Sequence, residues 1–241
     1  MRALRFVWVF AVTLAAANER IGGSGALTSD YRLYGLSQSN GQPAVQAEIH
    51  YLGNPGARSS WFGGIWASTV RLGSDEPTSV QLEAFLGEQW ALDADWQVRL
   101  VYGHYAHPWN SLLSRYDYDE LSASIAWRDA VSLTAAWSPN TDLYAARRGY
   151  AGNDQALNYE LTGHMPLWRT VAVVGGVGYR DLQQLFGTGY WYASAGLAYD
   201  GEHLHLSVLR AGADHTAQRM FYSDTAGAAW IGTVVVTFQG H

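Results

Sequence analysis

The chain has 241 residues, no cysteine and a formal net charge of -6, from 15 basic and 21 acidic residues. The absence of cysteine excludes a disulfide framework and any thiolate metal site. The acidic balance argues against a nucleic-acid partner, because such a partner requires a basic surface that meets the phosphates. Aromatic residues make up 14% of the chain and charged residues only 15%, whereas soluble domains are nearer a quarter charged.

The chain opens with MRALRFVWVFAVTLAAANERIGG. Two early arginines precede apolar residues 6–14, which are too few to span a bilayer as a helix, and small residues follow at 15–17. This order is typical of a signal peptide, and the alternative is a helix buried in a core. We therefore expect residues 1–17 to be a cleaved signal peptide and residues 18–241 to form one β-barrel domain.

Alternating apolar and polar residues recur along the rest of the chain, separated by glycine, asparagine, aspartate or proline. This period of two predicts about twelve strands. They are expected near 26–36, 43–52, 60–71, 78–88, 95–106, 118–127, 130–138, 155–164, 170–180, 189–200, 203–211 and 229–238. Most are about ten residues long, which exceeds the ~5–6 of soluble strands and matches the ~9–11 of tilted strands that cross a membrane.

The predicted connections alternate between short and long along the chain. Short ones contain RDA or DGE, whereas the long ones include AHPWNSLLSRYD, SPNTDLYAARRGYAGND and GADHTAQRMFYSDTAGAA. In an up-and-down barrel, this alternation places the short turns at one end and the long loops at the other. That arrangement is typical of outer-membrane barrels, whose short turns face the periplasm. The fold class that we predict is therefore all-β, an antiparallel up-and-down transmembrane β-barrel.

Aromatic residues near the ends of the apolar stripes support a membrane location. In SASIAWRDAVSLTAAW, Trp127 and Trp137 lie on two stripes at opposite ends of the predicted strands. Trp and Tyr prefer the headgroup level of a bilayer, because their rings are apolar at one side and can hydrogen-bond at the other. The predicted lipid-interface aromatics are Tyr51, Trp96, Tyr102, Trp127, Trp137, Tyr179, Trp191, Tyr199, Trp230 and Phe238. Phe238 also lies near the end of a final strand of the kind that the outer-membrane assembly machinery recognises, although Gln239, Gly240 and His241 follow where such a strand usually ends on the aromatic residue.

Residues on the opposite face of each strand are predicted to line the lumen. They are Asp30, Arg32, Gln46, Glu48, His50, Glu83, Arg99, Glu120, Asn158, Glu160, Arg180 and His205. A barrel of about twelve strands lies between filled eight-stranded barrels and open sixteen-stranded porins. A solute-conducting lumen and a plugged structural or surface-binding barrel therefore both remain open. Because more of the lumen charges are acidic than basic, a conducting pore would favour cations.

A lipid-modifying enzyme barrel is the third alternative, since such an enzyme needs a Ser or Thr nucleophile beside a His and a carboxylate. The chain has no G-x-S-x-G elbow, and the spacing of His203 and His205 indicates no third metal ligand. We therefore predict no catalytic residue, no cofactor and no metal. Arg147 and Arg148, in a predicted external loop, suit the phosphates of lipopolysaccharide because each guanidinium can bind two oxygens; the alternative is a solvated loop.

The segment LTSDYRLYGLSQSNGQPAVQAEIHYL, followed by WFGGIWAS, resembles the opening of the TorF-like porin family. The matching residues are Ser29, Asp30, Tyr31, Arg32, Gly35, Ser37, Gln38, Pro43, Ala44, Gly64, Trp66 and Ser68. Tyr34 departs from the family pattern, where a basic residue is common. The resemblance implies an exported barrel in the outer membrane of a Gram-negative bacterium. Together with the charged lumen, it leads us to expect a porin-like channel for the passive diffusion of small polar solutes, in contact with outer-membrane lipid.

Overall fold

The computed structural model describes residues 20–72, 77–110, 116–128, 130–141, 155–221 and 223–240. The predicted signal peptide and the arginine pair Arg147 and Arg148 lie outside the described residues. Within the described part, no helix is both long enough and apolar enough to cross a membrane.

Long antiparallel strands make up nearly all of the described chain. In chain order the strands are β1 (Ile21–Thr28), β2 (Arg32–Leu33), β3 (Leu36–Ser37), β4 (Ala44–Leu52), β5 (Ser59–Val70), β6 (Ser79–Ala91), β7 (Trp96–Ala106), β8 (Tyr118–Trp127), β9 (Val131–Ser138), β10 (Ala156–Pro166), β11 (Val171–Asp181), β12 (Tyr190–Asp200), β13 (Leu204–Ala213) and β14 (Ala229–Gly240). Short helices α1 (Gln183–Phe186), α2 (His215–Phe221) and α3 (Ser223–Ala226) lie between strands. Twelve strands form a closed barrel in which β1 pairs with both β14 and β4, and β2 and β3 form a separate hairpin. The predicted fold class is confirmed.

The predicted strands from 43–52 onward agree with the observed ones to within a few residues at each end. The first prediction, 26–36, is wrong, because β1 covers Ile21–Thr28 and the chain then leaves the wall. The sequence of β1, IGGSGALT, is rich in glycine, which hides the alternation of side chains. At Gly23 a Cβ would lie 2.4 Å from the Phe238 ring and 2.5 Å from the Glu48 carbonyl oxygen, so the neighbouring strands leave no room for a side chain.

The two ends of the barrel differ in the length of their connections. At one end, the turn end, the strands are joined by 53–58, 92–95, 128–130, 167–170 and 201–203. At the other, the loop end, they are joined by 29–43, 71–78, 107–117, 139–155, 182–189 and 214–228. Two of the short turns are linked, since Arg128 Nε and Nη2 donate to the two Asp95 carboxylate oxygens at 2.9 and 3.0 Å. These hydrogen bonds hold the pKa of Asp95 below its usual range.

The outward face of the barrel is apolar. Leu121, Ile125, Val131 and Leu133 are all exposed on adjacent strands β8 and β9. All the predicted interface aromatics lie on this face; Trp127 is at the turn end of β8 and Trp137 near the loop end of β9. An apolar exterior around a polar interior is the reverse of a soluble barrel and is typical of outer-membrane barrels.

Candidate functional site: the lumen and its inner hairpin

Residues 29–43 leave the wall at the loop end and fold into the lumen; we call this segment the inner hairpin. Its strands are β2 and β3, and its turn is Tyr34 and Gly35, with φ of 50° and 79°. Two consecutive positive φ angles are those of a type I′ hairpin turn. A Cβ at Gly35 would lie 2.5 Å from the Cβ of Tyr192 on the wall, so only glycine fits this close approach. Most of the residues that resemble the TorF-like porins therefore belong to a segment inside the barrel.

A buried polar cluster stabilises the base of the inner hairpin. Arg32 Nε lies 2.7 Å from Asp30 Oδ2, and the hydroxyls of Ser37 and Ser39 donate to Asp30 Oδ1 at 2.5 and 3.1 Å. Arg32 Nη1 also donates to the carbonyl of Gly227 at 2.7 Å, which joins the hairpin to the segment before β14. The prediction that placed Asp30 and Arg32 on a wall strand is thus corrected. Both lie inside the barrel, but on the hairpin, and they pair with each other.

At the tip of the inner hairpin, Tyr34 contacts two charged wall residues; we call Tyr34, Glu120 and Arg180 the tip network. The Tyr34 hydroxyl is 2.7 Å from both carboxylate oxygens of Glu120 on β8. The Arg180 guanidinium of β11 lies over the Tyr34 ring at 4.2 Å, and its Nη1 is 3.5 Å from Glu120 Oε2. Ser138 donates to Glu120 at 3.0 Å, and the Tyr190 hydroxyl donates to the Tyr34 carbonyl at 3.1 Å. The hairpin tip is therefore held by hydrogen bonds with Glu120 and Tyr190 and by a cation–π contact with Arg180, beside the buried ion pair that Glu120 and Arg180 form.

Other contacts fill the loop-end half of the lumen. The Tyr31 hydroxyl donates to Gln81 at 3.2 Å, and the Tyr31 ring lies edge-on to Trp66 at 5.4 Å. Leu36 packs in an apolar cluster with Leu182, Leu185, Tyr190, Tyr192, Ala217 and Phe221, which joins the hairpin to β12, α1 and α2. The inner hairpin thus contacts several sides of the wall and occupies much of this half of the lumen.

The predicted lumen residues divide between the two halves of the barrel. Glu83, Glu120, Asn158 and Arg180 are buried towards the loop end, and Gln46 lies at the same level. Glu48 and Glu160 lie near mid-height, and His50, Arg99 and His205 lie towards the turn end, all on the inward face. Of these, all but His205 are partly accessible, and buried apolar side chains, including Leu52, Phe62 and Val174, share the turn-end half of the lumen with them.

Inward polar residues of the turn-end half contact each other or pack on an aromatic ring. His50 Nδ1 is 2.7 Å from Glu48 Oε1, and Arg99 lies over the Phe62 ring at 5.0 Å. Asp200 lies between His164 and His205, with a distance of 3.2 Å to each ring. Among the described residues, no group of three or more His, Asp and Glu could hold a metal ion.

Sequence reasoning missed the role of Tyr34. It assigned this residue to a wall strand, because Tyr31, Leu33 and their polar neighbours alternate as in the other strands. The available signal was the pair Tyr34–Gly35 between two alternating runs, since a two-residue link that contains glycine can form a tight hairpin.

Comparison with known proteins identifies a family and a fold. A family model described as a bacterial protein of unknown function (Gcw_chp) matches residues 14–238. This family model does not confirm the resemblance to the TorF-like porins, which stays a prediction. No curated protein matches the chain.

Solved structures superpose on nearly the whole chain. An outer-membrane channel from Pseudomonas putida F1 does so with a TM-score of 0.54 at 9% identity, over 94% of this chain and 97% of that one. The CymD monoaromatic hydrocarbon channel superposes with a TM-score of 0.52 at 10% identity, over 93% of this chain and 90% of that one. Outer membrane phospholipase A from Escherichia coli superposes less well, with a TM-score of 0.46 at 15% identity, over 97% of this chain and 94% of that one. The first two likenesses show a shared barrel fold of the outer-membrane type.

Proposed function

The chain belongs to the Gcw_chp family of bacterial proteins of unknown function, and we propose that it is a porin-like channel in the outer membrane of a Gram-negative bacterium. In this proposal small polar solutes diffuse passively through a narrow, charged lumen, and the inner hairpin is its constriction. The two solved channels of the same fold support the class of function and leave the solute open.

The main observation in support of the proposal is that the inner hairpin is not part of the hydrogen-bonded barrel wall. The turn-end half carries the partly accessible polar residues Glu48, His50 and Arg99, whereas the loop-end half is occupied by a segment whose strands pair only with each other. The barrel wall closes through β1, β4 and β14 without it. Strands β2 and β3 can therefore move without opening the barrel ladder, because the backbone hydrogen bonds from the segment to the wall are made by Ser29 with Gly232 and by Gln38 with Arg71, outside these two strands. A constriction that opens requires such freedom.

A plugged structural or surface-binding barrel is the second candidate. The tip network and the cluster at Asp30 favour it, because together they anchor the hairpin by buried polar contacts at its base and its tip. Cleavage of the signal peptide, recognition by the assembly machinery and binding of lipopolysaccharide by Arg147 and Arg148 stay predictions. We propose no enzymatic activity.

Loosening the hairpin tip should increase conductance. Tyr34→Ala removes the hydroxyl that meets Glu120 and the ring beneath Arg180. We expect single-channel recordings in planar bilayers to show small currents for the wild-type protein and several-fold larger or more frequent openings for the variant. The matched control is Tyr159→Ala, since Tyr159 lies on the outward face and its loss leaves the lumen unchanged. If neither the wild-type protein nor Tyr34→Ala conducts, the plugged barrel replaces the channel.

Reversing the charge of Arg99 should shift ion selectivity. Arg99 points inward from β7 in the turn-end half, opposite Gln89 and Ser124 on the neighbouring strands. Arg99→Glu replaces a positive lumen charge with a negative one, so the reversal potential in a potassium chloride gradient should move towards the equilibrium potential of potassium. The shift should be smaller at high salt, because salt screens the charge. Arg210→Glu makes the same change on the outward face and should leave the potential unaltered. A conducting protein with no shift for Arg99→Glu would show that Arg99 does not line the path.

A further inference from the structure

A cavity of about 220 Å³ lies between the inner hairpin and the loop-end rim of the barrel. Its apolar lining comes from Leu33, Leu36, Leu72, Leu182, Met220 and Phe221. Its polar lining includes His107, Tyr118, Thr141 and Arg180, which are all almost completely buried. The lining surface is thus more apolar than polar and includes several buried polar side chains, which is the usual composition of a small-molecule site.

The polar lining residues of the cavity include atoms without hydrogen-bond partners. Among the described residues, His107 Nε2, Tyr118 Oη, Thr141 Oγ1 and Arg180 Nη1 make no hydrogen bond, although Arg180 Nη1 faces Glu120 at 3.5 Å. Buried polar atoms are normally hydrogen-bonded, because an unsatisfied one loses its interactions with water and gains none in return. Four such atoms around one cavity can find partners only in water or in a bound molecule that occupies the cavity.

The chemistry of these atoms defines the group that they would bind. Asp117 Oδ1 is 2.8 Å from the His107 backbone nitrogen and 3.0 Å from Nδ1. A carboxylate at Nδ1 favours the ring proton there, which leaves Nε2 of this lining residue as an acceptor. The Tyr118 and Thr141 hydroxyls and the Arg180 guanidinium can donate. The ligand group must therefore donate one hydrogen and accept others, as a hydroxyl does.

Charge and size restrict the ligand further. Since Arg180 already faces Glu120, the cavity offers no uncompensated positive charge to an anion. An apolar cavity of about 150 Å³ accepts benzene, so 220 Å³ suits a single ring with one or two further non-hydrogen atoms. We propose that this cavity binds a small neutral molecule with a ring-sized apolar body and one hydroxyl group. The site is independent of the channel proposal, because binding requires no opening of the lumen.

Binding of 4-methylphenol to the full chain in lipid nanodiscs tests this site, with empty nanodiscs as the blank. Isothermal titration calorimetry should show binding at least about tenfold tighter than for toluene, which lacks the hydroxyl, and tighter than for 4-methylbenzoate, which carries a charge. Equal binding of toluene, tighter binding of 4-methylbenzoate, or no binding of 4-methylphenol would overturn the proposal; in the last case only water fills the cavity.

Conservative variants locate the binding. Tyr118→Phe and Thr141→Val each remove one hydroxyl and keep the shape of the side chain, and each should weaken 4-methylphenol binding by about tenfold. Ser207→Ala is the matched control, since Ser207 Oγ is also buried without a partner among the described residues but does not line the cavity. Unchanged affinity in both cavity variants would show that the ligand binds elsewhere. None of these outcomes alters the conductance expected for Tyr34→Ala, so the two proposals fail separately.

Discussion

Replacing Leu133 with arginine is expected to lower the free energy of unfolding in lipid by about 2–4 kcal/mol. Leu133 is 53% exposed on the outward face of β9, opposite Ile125 and Leu161 on its two neighbouring strands. It lies between the levels of Trp127 and Trp137, so a guanidinium there would face hydrocarbon with no water or counter-charge. Urea titration of the protein folded into lipid vesicles, followed by tryptophan fluorescence, measures the change.

The matched control lies one residue earlier in the chain. Ser132 points inward and pairs with Ala126 and Thr162, so an arginine at this position would enter the lumen beside neutral residues. Ser132→Arg should therefore cost much less than Leu133→Arg. If Ser132→Arg proved the more damaging change, the outward and inward faces would be exchanged and the barrel would be a soluble one.

Removing the guanidinium of Arg180 is expected to destabilise the protein by about 3–5 kcal/mol, since it leaves a buried carboxylate without its counter-charge. Arg180 and Glu120 are 4% and 6% exposed, so water cannot replace the missing partner. Arg180→Met keeps the length of the side chain and removes both the charge and its contact with the Tyr34 ring. The same vesicle titration gives the free energy of unfolding.

The double variant Glu120→Gln/Arg180→Met distinguishes loss of charge pairing from loss of packing. Because it removes both charges, it should recover much of the stability that Arg180→Met alone loses. Arg128→Met is the control for an exposed ion pair, since Arg128 and Asp95 face water at the turn end and should contribute far less. If Arg180→Met costs no more than Arg128→Met, the tip network does not hold the inner hairpin.

The sequence by itself was sufficient to predict the barrel wall from β4 onward and the direction in which its side chains point. Alternation with a period of two is a local property, so the runs around Trp127 and Trp137 reveal their strands without any knowledge of partners. The preference of aromatic rings for the bilayer interface is likewise a property of single residues. It predicts that the stripe carrying these rings, which lies on the outward face, contacts lipid.

The tertiary structure alone decided the first strand and the inner hairpin. Residues 29–37 alternate as a wall strand does, whereas the glycine-rich β1 scarcely does. Closure of the barrel places β1 between β4 and β14, where Gly23 leaves room for the Phe238 ring. The inner hairpin turns at Gly35 and brings Tyr34 into contact with Glu120 and Arg180. Residues so distant in the chain meet only because the closed barrel sets their positions, which no local pattern encodes.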